Sequence, residues 1–233
     1  MRTPPEWGHA KEDFELESGK VQRDASVCIL VFDIPDNIKP PILFYYRLTN
    51  FYQNHRRYVK SLDVNQLKGH DVSVSSIRAG ECDPLDVAPA TDTKPERPYY
   101  PCGLIANSMF NDTFGDHING TNVQGSNSPD AKPFNFSKKG ISWSSEGDLY
   151  GKSAYKPDQV VPPPNWQARY PDDGYDSLKE LPDLHDWEEF QVWMRTAGLP
   201  TFSKLAMRND NDELLAGQYV LKIQDSILPP RPS

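Results

Sequence analysis

The chain has 233 residues, a formal charge of −8, 37% apolar residues, 11% aromatics and 22 prolines. The acidic balance argues against nucleic acid as the main partner, no run of 18 apolar residues is present to cross a bilayer, and the aromatic share is too high for a disordered chain. Prolines at about twice the usual share remove backbone donors and resist helix, so the expectation is a loop-heavy, mainly β chain around one good core.

Residues 1–25 mix charges without a period and are expected to be extended or poorly ordered; Met1-Arg-Thr-Pro-Pro-Glu lacks the apolar segment of a signal peptide. Val27 to Ile34 is β-branched and apolar and ends at Pro35, which predicts a strand. Pro40-Pro41 introduces a second strand, Ile42 to Leu48, paired with the first as a hairpin or lying in a facing sheet. Asn50 is placed to cap a short helix through Tyr58, and Asp63 to Gly69 reads as one helical turn with an acidic start and a glycine stop. Residues 70–100 carry no clear period, and Pro84, Pro89, Pro95 and Pro98 predict an irregular loop.

Residues 115–137 are rich in Asn, Gly, Ser and Asp and read as a long loop, while Lys138 to Trp143 reads as a strand with Ile141 and Trp143 on one face. Lys152 to Pro182 is again loop. Asp186 is expected to cap the best helix of the chain, with Phe190, Trp193, Met194 and Ala197 as one apolar stripe, Gly198 as its stop and Pro200 preventing its continuation. Strands are predicted for residues 201–208 and 217–224 on either side of an Asn209 to Asp212 turn, with Tyr219, Leu221 and Ile223 sharing a face. Residues 225–233 are a proline-rich tail, of which Leu228 to Ser233 cannot enter a sheet interior.

Catalytic patterns are poor. The five histidines show no zinc spacing, and neither a nucleophile elbow nor a phosphate loop occurs. Asp172, Asp173 and Asp176, and the Asn209 to Asp212 turn, do not fit a twelve-residue calcium loop and read as solvated turns, so neither a metal nor a cofactor is expected. Asn-x-Ser/Thr acceptors at Asn111, Asn119 and Asn135 cluster within 25 residues and point to N-linked glycans in a secretory compartment. Cys82 and Cys102 flank a proline-rich loop and are the expected disulfide, Cys28 being left over; three reduced, buried thiols are the alternative.

One stretch stands out. Phe44 to Lys60 combines six aromatics with Arg47, Arg56, Arg57 and Lys60 and holds no acidic residue. Stacking on single-stranded nucleic acid fits poorly with the acidic whole. Core and edge strand account for alternate residues of Phe44 to Leu48. A partner-docking face suits Phe51, Tyr52, His55, Arg56, Arg57 and Tyr58, since paired arginines beside aromatics are common interface anchors.

The wording of that stretch, Tyr45-Tyr-Arg-Leu-Thr-Asn-Phe-Tyr-Gln-Asn-His-Arg-Arg-Tyr-Val-Lys-Ser61, resembles a signature of the ligand-effect-modulator family, the accessory β-subunits of type IV P-type ATPases, the phospholipid flippases. Pro101-Cys-Gly-Leu-Ile-Ala-Asn-Ser-Met-Phe-Asn-Asp-Thr113 and Val192-Trp-Met-Arg-Thr-Ala-Gly-Leu-Pro-Thr-Phe202 are similar to two more, in the same order, as are Lys138 to Trp143 and Ala216 to Tyr219. The resemblance implies an exoplasmic domain without its two transmembrane helices: an antiparallel, jelly-roll-like β-sandwich over 26–224 with a disulfide-stapled, loop-rich lobe at about 62–137 and a few short helices. It implies the bridge Cys82–Cys102 and a glycan at Asn111. It also implies a non-catalytic subunit that supports folding of the ATPase, its export from the endoplasmic reticulum and lipid transport, close to the lumenal or outer membrane surface. Cys28 resembles a family cysteine whose partner lies upstream, which this sequence lacks, and the resemblance stops after Ile223. The rival readings are a secreted glycan-binding sandwich and, further off, a glycosidase-like enzyme.

Overall fold

Two strands far apart in sequence form the longest ladder of the protein in a computed structural model that describes residues 6–8, 26–123, 133–166, 169–170 and 174–225. In chain order the elements are β1 (Glu6–Gly8), β2 (Ser26–Ile34), β3 (Ile42–Leu48), α1 (Arg56–Lys60), α2 (Val64–Leu67), α3 (Val74–Arg78), β4 (Val87–Ala88), β5 (Arg97–Pro98), α4 (Leu104–Asn107), β6 (Thr113–Phe114), β7 (His117–Val123), β8 (Phe134–Asn135), α5 (Glu188–Met194), β9 (Phe202–Asn209) and β10 (Gly217–Asp225). The pairings between them are antiparallel, in a mainly β protein with short helices. Their contacts divide the chain into two compact units, residues 1–43, 111–137 and 208–233, and residues 44–110 and 138–207.

The first unit is a sheet in the order β1-β2-β10-β7-β8, with β6 also on β10. β2 and β10 are in register from Ile34↔Gly217 to Ser26↔Asp225. Their alternation places Tyr219 and Leu221 inward, 3% and 0% exposed, and leaves Lys222 exposed. Phe32 stacks on Tyr219 at 6.2 Å. β2 and β3 are not a hairpin: β2 takes β1 and β10 as neighbours, and β3 pairs with β9. Residues 115–137 are not simply a loop either. β7 and β8 fall within them, β7 pairing with β10 and with β8. The turn after β9 is closed by Asn209, whose Oδ1 accepts the N–H groups of Asn211 and Asp212, both at 2.9 Å.

The second unit has little regular structure. Asp63 caps α2 as expected, accepting the Gln66 N–H at 2.8 Å, and Gly69 follows at φ 91°. Ser73 caps α3 in the stretch where no period was legible. The Cys82–Cys102 disulfide is formed, and Cys28 is buried in β2. Fully buried Gln66 holds the segment before the second cysteine from both sides: its Nε2 donates to the Tyr99 carbonyl at 3.0 Å and its Oε1 accepts the Cys102 N–H at 2.9 Å. Gly103, at φ 98°, passes so close to the Ser61 carbonyl that a Cβ there would collide with it. The core of this unit is aromatic. Burial raises the Tyr100 phenol to about 12 and pushes Tyr175 well above its ordinary value.

Three local readings change. The Asn50 to Tyr58 helix shrinks to α1, because Asn50 takes a left-handed φ of 57° that only short polar side chains and glycine adopt readily. The helix expected from Asp186 to Gly198 is α5, which starts after Trp187 without a side-chain cap and ends at Met194. Its end is taken by Lys204, whose buried ammonium donates to the Val192 carbonyl at 2.9 Å and to the carbonyls of Trp193 and Arg195. Burial lowers that amine to about 8. Lys138 to Trp143 is not a strand, since Ile141 is 3% exposed and Trp143 63%. The Glu188 carboxylate accepts the N–H groups of Ile141 at 2.8 Å and Ser142 at 3.1 Å, which fixes a loop instead.

Candidate functional site

The aromatic-basic stretch sorts its side chains into two sets. Phe51, Gln53 and Tyr58 turn inward. The Phe51 ring meets Tyr58, Trp193 and Phe202 edge-on at 6.2, 5.6 and 6.2 Å. Gln53 is fully buried and reaches the Tyr58 hydroxyl with its Nε2 at 3.3 Å, and that hydroxyl shares a hydrogen bond with Ser108 Oγ at 2.8 Å. Burial raises the Tyr58 phenol, against the lowering effect of Ser108 and Gln53. Of the six candidate contact residues, Phe51 and Tyr58 are thus half-buried packing groups. Tyr52, His55, Arg56 and Arg57 are exposed, Tyr52 to 61%.

A second loop joins this surface. The Gln53 Oε1 accepts the Ala197 N–H at 2.9 Å, the Asn54 Nδ2 donates to the Gly198 carbonyl at 3.0 Å, and the Phe51 N–H donates to the Pro200 carbonyl at 3.1 Å. Between those anchors Leu199 is 70% exposed. Leu199 is not among the contact candidates of the sequence, where its Ala-Gly-Leu-Pro run reads as a helix stop and as part of the Val192 to Phe202 motif. The third motif also fixes the second. The Trp193 indole donates to the Ile105 carbonyl at 2.7 Å, and Trp166 to the Ala106 carbonyl at 2.8 Å, satisfying carbonyls of α4. Charges around α1 are only loosely paired: Arg57 with Asp83 at 3.8 Å and Lys60 with Glu81 at 3.5 Å, all four well exposed. Pairs of this kind add little to stability, so the guanidinium groups stay available at the surface.

The carboxylates with lowered pKa are engaged elsewhere. Burial would raise Asp176, but Lys94 and Arg97 outweigh it; Lys152 lowers Glu180; and for Glu188 burial is outweighed by backbone N–H groups of Ser142, Gly140 and Ile141. Among the described residues no group of three or more His, Cys, Asp or Glu is placed to hold a metal ion. Asp172 and Asp173 lie outside the described residues. Of the glycan acceptors, Asn111 is half-buried just before β6, Asn119 is half-buried in β7, and Asn135 is exposed in β8 beside Phe134 and Phe136, which meet edge-on at 5.2 Å.

The profile described as the LEM3 (ligand-effect modulator 3) family / CDC50 family matches residues 7–227, and so takes in all three motifs. The chain belongs to the LEM3/CDC50 family. Among similar LEM3/CDC50 proteins are the phospholipid-transporting ATPase accessory subunit CDC50 of Chaetomium thermophilum, 44% identical over 91% of this chain and 51% of its own length, and the accessory subunit CRF1 of Saccharomyces cerevisiae, 44% identical over 84% of this chain and 46% of its own. Cell cycle control protein 50A of Mus musculus is 39% identical over 84% of this chain and 54% of its own length. The chain therefore spans about half the length of the curated relatives it matches. No helix among the described residues is long and apolar enough to cross a membrane.

Proposed function

We propose that this chain is the exoplasmic part of a non-catalytic accessory subunit of a phospholipid-transporting ATPase, supporting the folding of the pump, its export from the endoplasmic reticulum and lipid transport. The observation that carries the reading is the paired-loop surface. Tyr52, His55, Arg56, Arg57 and Leu199 are exposed on two loops that Gln53, Asn54 and Phe51 hold together. Exposed tyrosine and arginine side chains on a fixed backbone suit docking to a protein rather than chemistry. The engaged state of Asp176, Glu180 and Glu188 argues against a glycosidase pair made from them. In this reading Asn111, Asn119 and Asn135 carry N-linked glycans added in the secretory pathway.

Arg56→Ala with Arg57→Ala in the full-length protein should weaken co-purification of the ATPase by about 2 kcal/mol or more, roughly thirtyfold, while leaving unfolding temperature unchanged. Leu199→Ser should act in the same direction. Lowered melting with retained pull-down would make these side chains structural and remove the surface from the partner site.

A further inference from the structure

The outer face of the first unit's sheet carries an apolar strip. Ile29 and Val31 of β2 are 40% and 53% exposed, on the face opposite buried Tyr219 and Leu221. Residues in direct register across neighbouring strands present their side chains on the same face. Val31 is in register with Val220 of β10, and Val220 is in register with Asn119 of β7. Val31, Val220 and Asn119 therefore form one row on the outer face. The row behind it runs Phe32, Tyr219, Gly120 on the inner face, and Ile118, 2% exposed, also turns inward. An asparagine that begins an Asn-Gly-Thr acceptor thus ends a row that starts at exposed Val31 and passes through half-buried Val220.

We propose that the oligosaccharide on Asn119 lies back across this strip and is its cover. The inference rests on the reading that Asn119 is glycosylated. In that modification the Asn119 amide Nδ2 displaces the diphosphate of a lipid-linked oligosaccharide from the anomeric carbon of its first sugar and loses one proton. Asn119 and Val31 stand two strand spacings apart, about 10 Å, a reach of two linked pyranose rings. Each such ring has a face of C–H groups that packs on aliphatic side chains, while its rim of hydroxyls stays in water. Lys222, exposed opposite Ile29, and Gln218, exposed opposite Asp33 to which its Nε2 donates at 3.2 Å, set polar groups at the two ends of the strip. Chain order allows the modification, because β7 is synthesised well before β10, so the acceptor is presented before its ladder partner arrives. An exposed aliphatic strip on a sheet is a site of unwanted association, and a sugar attached in the same row shields it without a protein partner.

The test uses the full-length protein from a eukaryotic secretory host. Glycopeptide mass spectrometry reads occupancy at Asn119, and hydrogen exchange reads the amides of Ile29 to Val31 and Tyr219 to Leu221. Removal of the sugar from the folded protein by an amidase, or its loss in Asn119→Gln and in Thr121→Ala, should speed exchange at those amides several-fold and leave the amides around Gln66 unchanged. In a glycosylated Ile29→Thr, Val31→Thr protein, removing the sugar should no longer change exchange there. An unmodified Asn119 would overturn the acceptor reading and the seat together. A modified Asn119 whose removal leaves exchange at the strip unchanged would overturn the seat alone, whether the strip is then bare or covered by another segment or protein.

Discussion

The two units satisfy their backbones by different means. In the first, β2 and β10 are in register over nine residue pairs, and periodic rungs do the work. In the second the longest helix has seven residues, and the buried polar side chains among the described residues, Gln53, Ser61, Gln66, Gln191 and Lys204, all fall there. Each bonds the main chain: Ser61 Oγ accepts the Leu104 N–H at 2.9 Å, and the Gln191 Nε2 donates to the carbonyls of Leu184 at 2.9 Å and His185 at 2.7 Å. Where a chain rich in proline cannot form ladders, single amide side chains replace them. The physical difference is one of concentration. A rung lost from a long ladder leaves its neighbours in place, whereas losing the Gln66 or Gln191 amide strands two main-chain groups at once.

Gln66→Leu should break the second unit hardest. It leaves the Tyr99 carbonyl and the Cys102 N–H without their amide partner, a loss of about 4 kcal/mol from two stranded groups. Thermal unfolding of the variant measures it, and a loss no larger than that of an exposed strand substitution would remove the contrast. Next is the disulfide, which closes a loop of sequence separation 20. Replacing Cys82 and Cys102 with Ser should cost about 3 kcal/mol, read from denaturant midpoints together with an m-value that rises as the unfolded chain loses its cross-link.

The acid limb sharpens the comparison further. Glu188 has a folded pKa below its ordinary 4.5, because backbone N–H groups outweigh burial. As pH falls the unfolded chain binds this proton first, so the stabilisation is present above 4.5 and is lost as pH drops through the lower folded value. Glu188→Gln should flatten the acid-induced decline, by less than about 1 kcal/mol given the solvent around the group. A decline of unchanged steepness would assign the acid sensitivity to other carboxylates. At the far end, Gln218→Leu on the exposed side of β10 should stay within about 0.5 kcal/mol of the parent in the same melts.

What the sequence made legible was local. Asp63 and Gly69 bracket α2 because cap and stop lie within one turn of it, and β2, β3, β9 and β10 are apolar or alternating runs bounded by turn residues. β7 was hidden because His-Ile-Asn-Gly-Thr-Asn-Val has few strand formers and becomes a strand through β10. Ile141 and Trp143 seemed to share a face, but the carboxylate that shapes their loop is Glu188, far along the chain. For the candidate site the stretch was visible and its sorting was not. Nothing at Phe51 or Gln53 announces that Trp193 or Ala197 will meet it, and the tie between the two loops spans a sequence separation of 144.

The β2–β10 ladder has a mechanical consequence. Ser26 opens β2 opposite Asp225, which closes β10, so the chain enters and leaves this pair at the same end of neighbouring antiparallel strands. Tension arriving through both segments pulls the strands apart sideways at that end rather than sliding one along the other. Such loading falls on one rung at a time, so this pair opens like a zipper at low force, beginning at Ser26 and Asp225 and reaching Ile34 and Gly217 last.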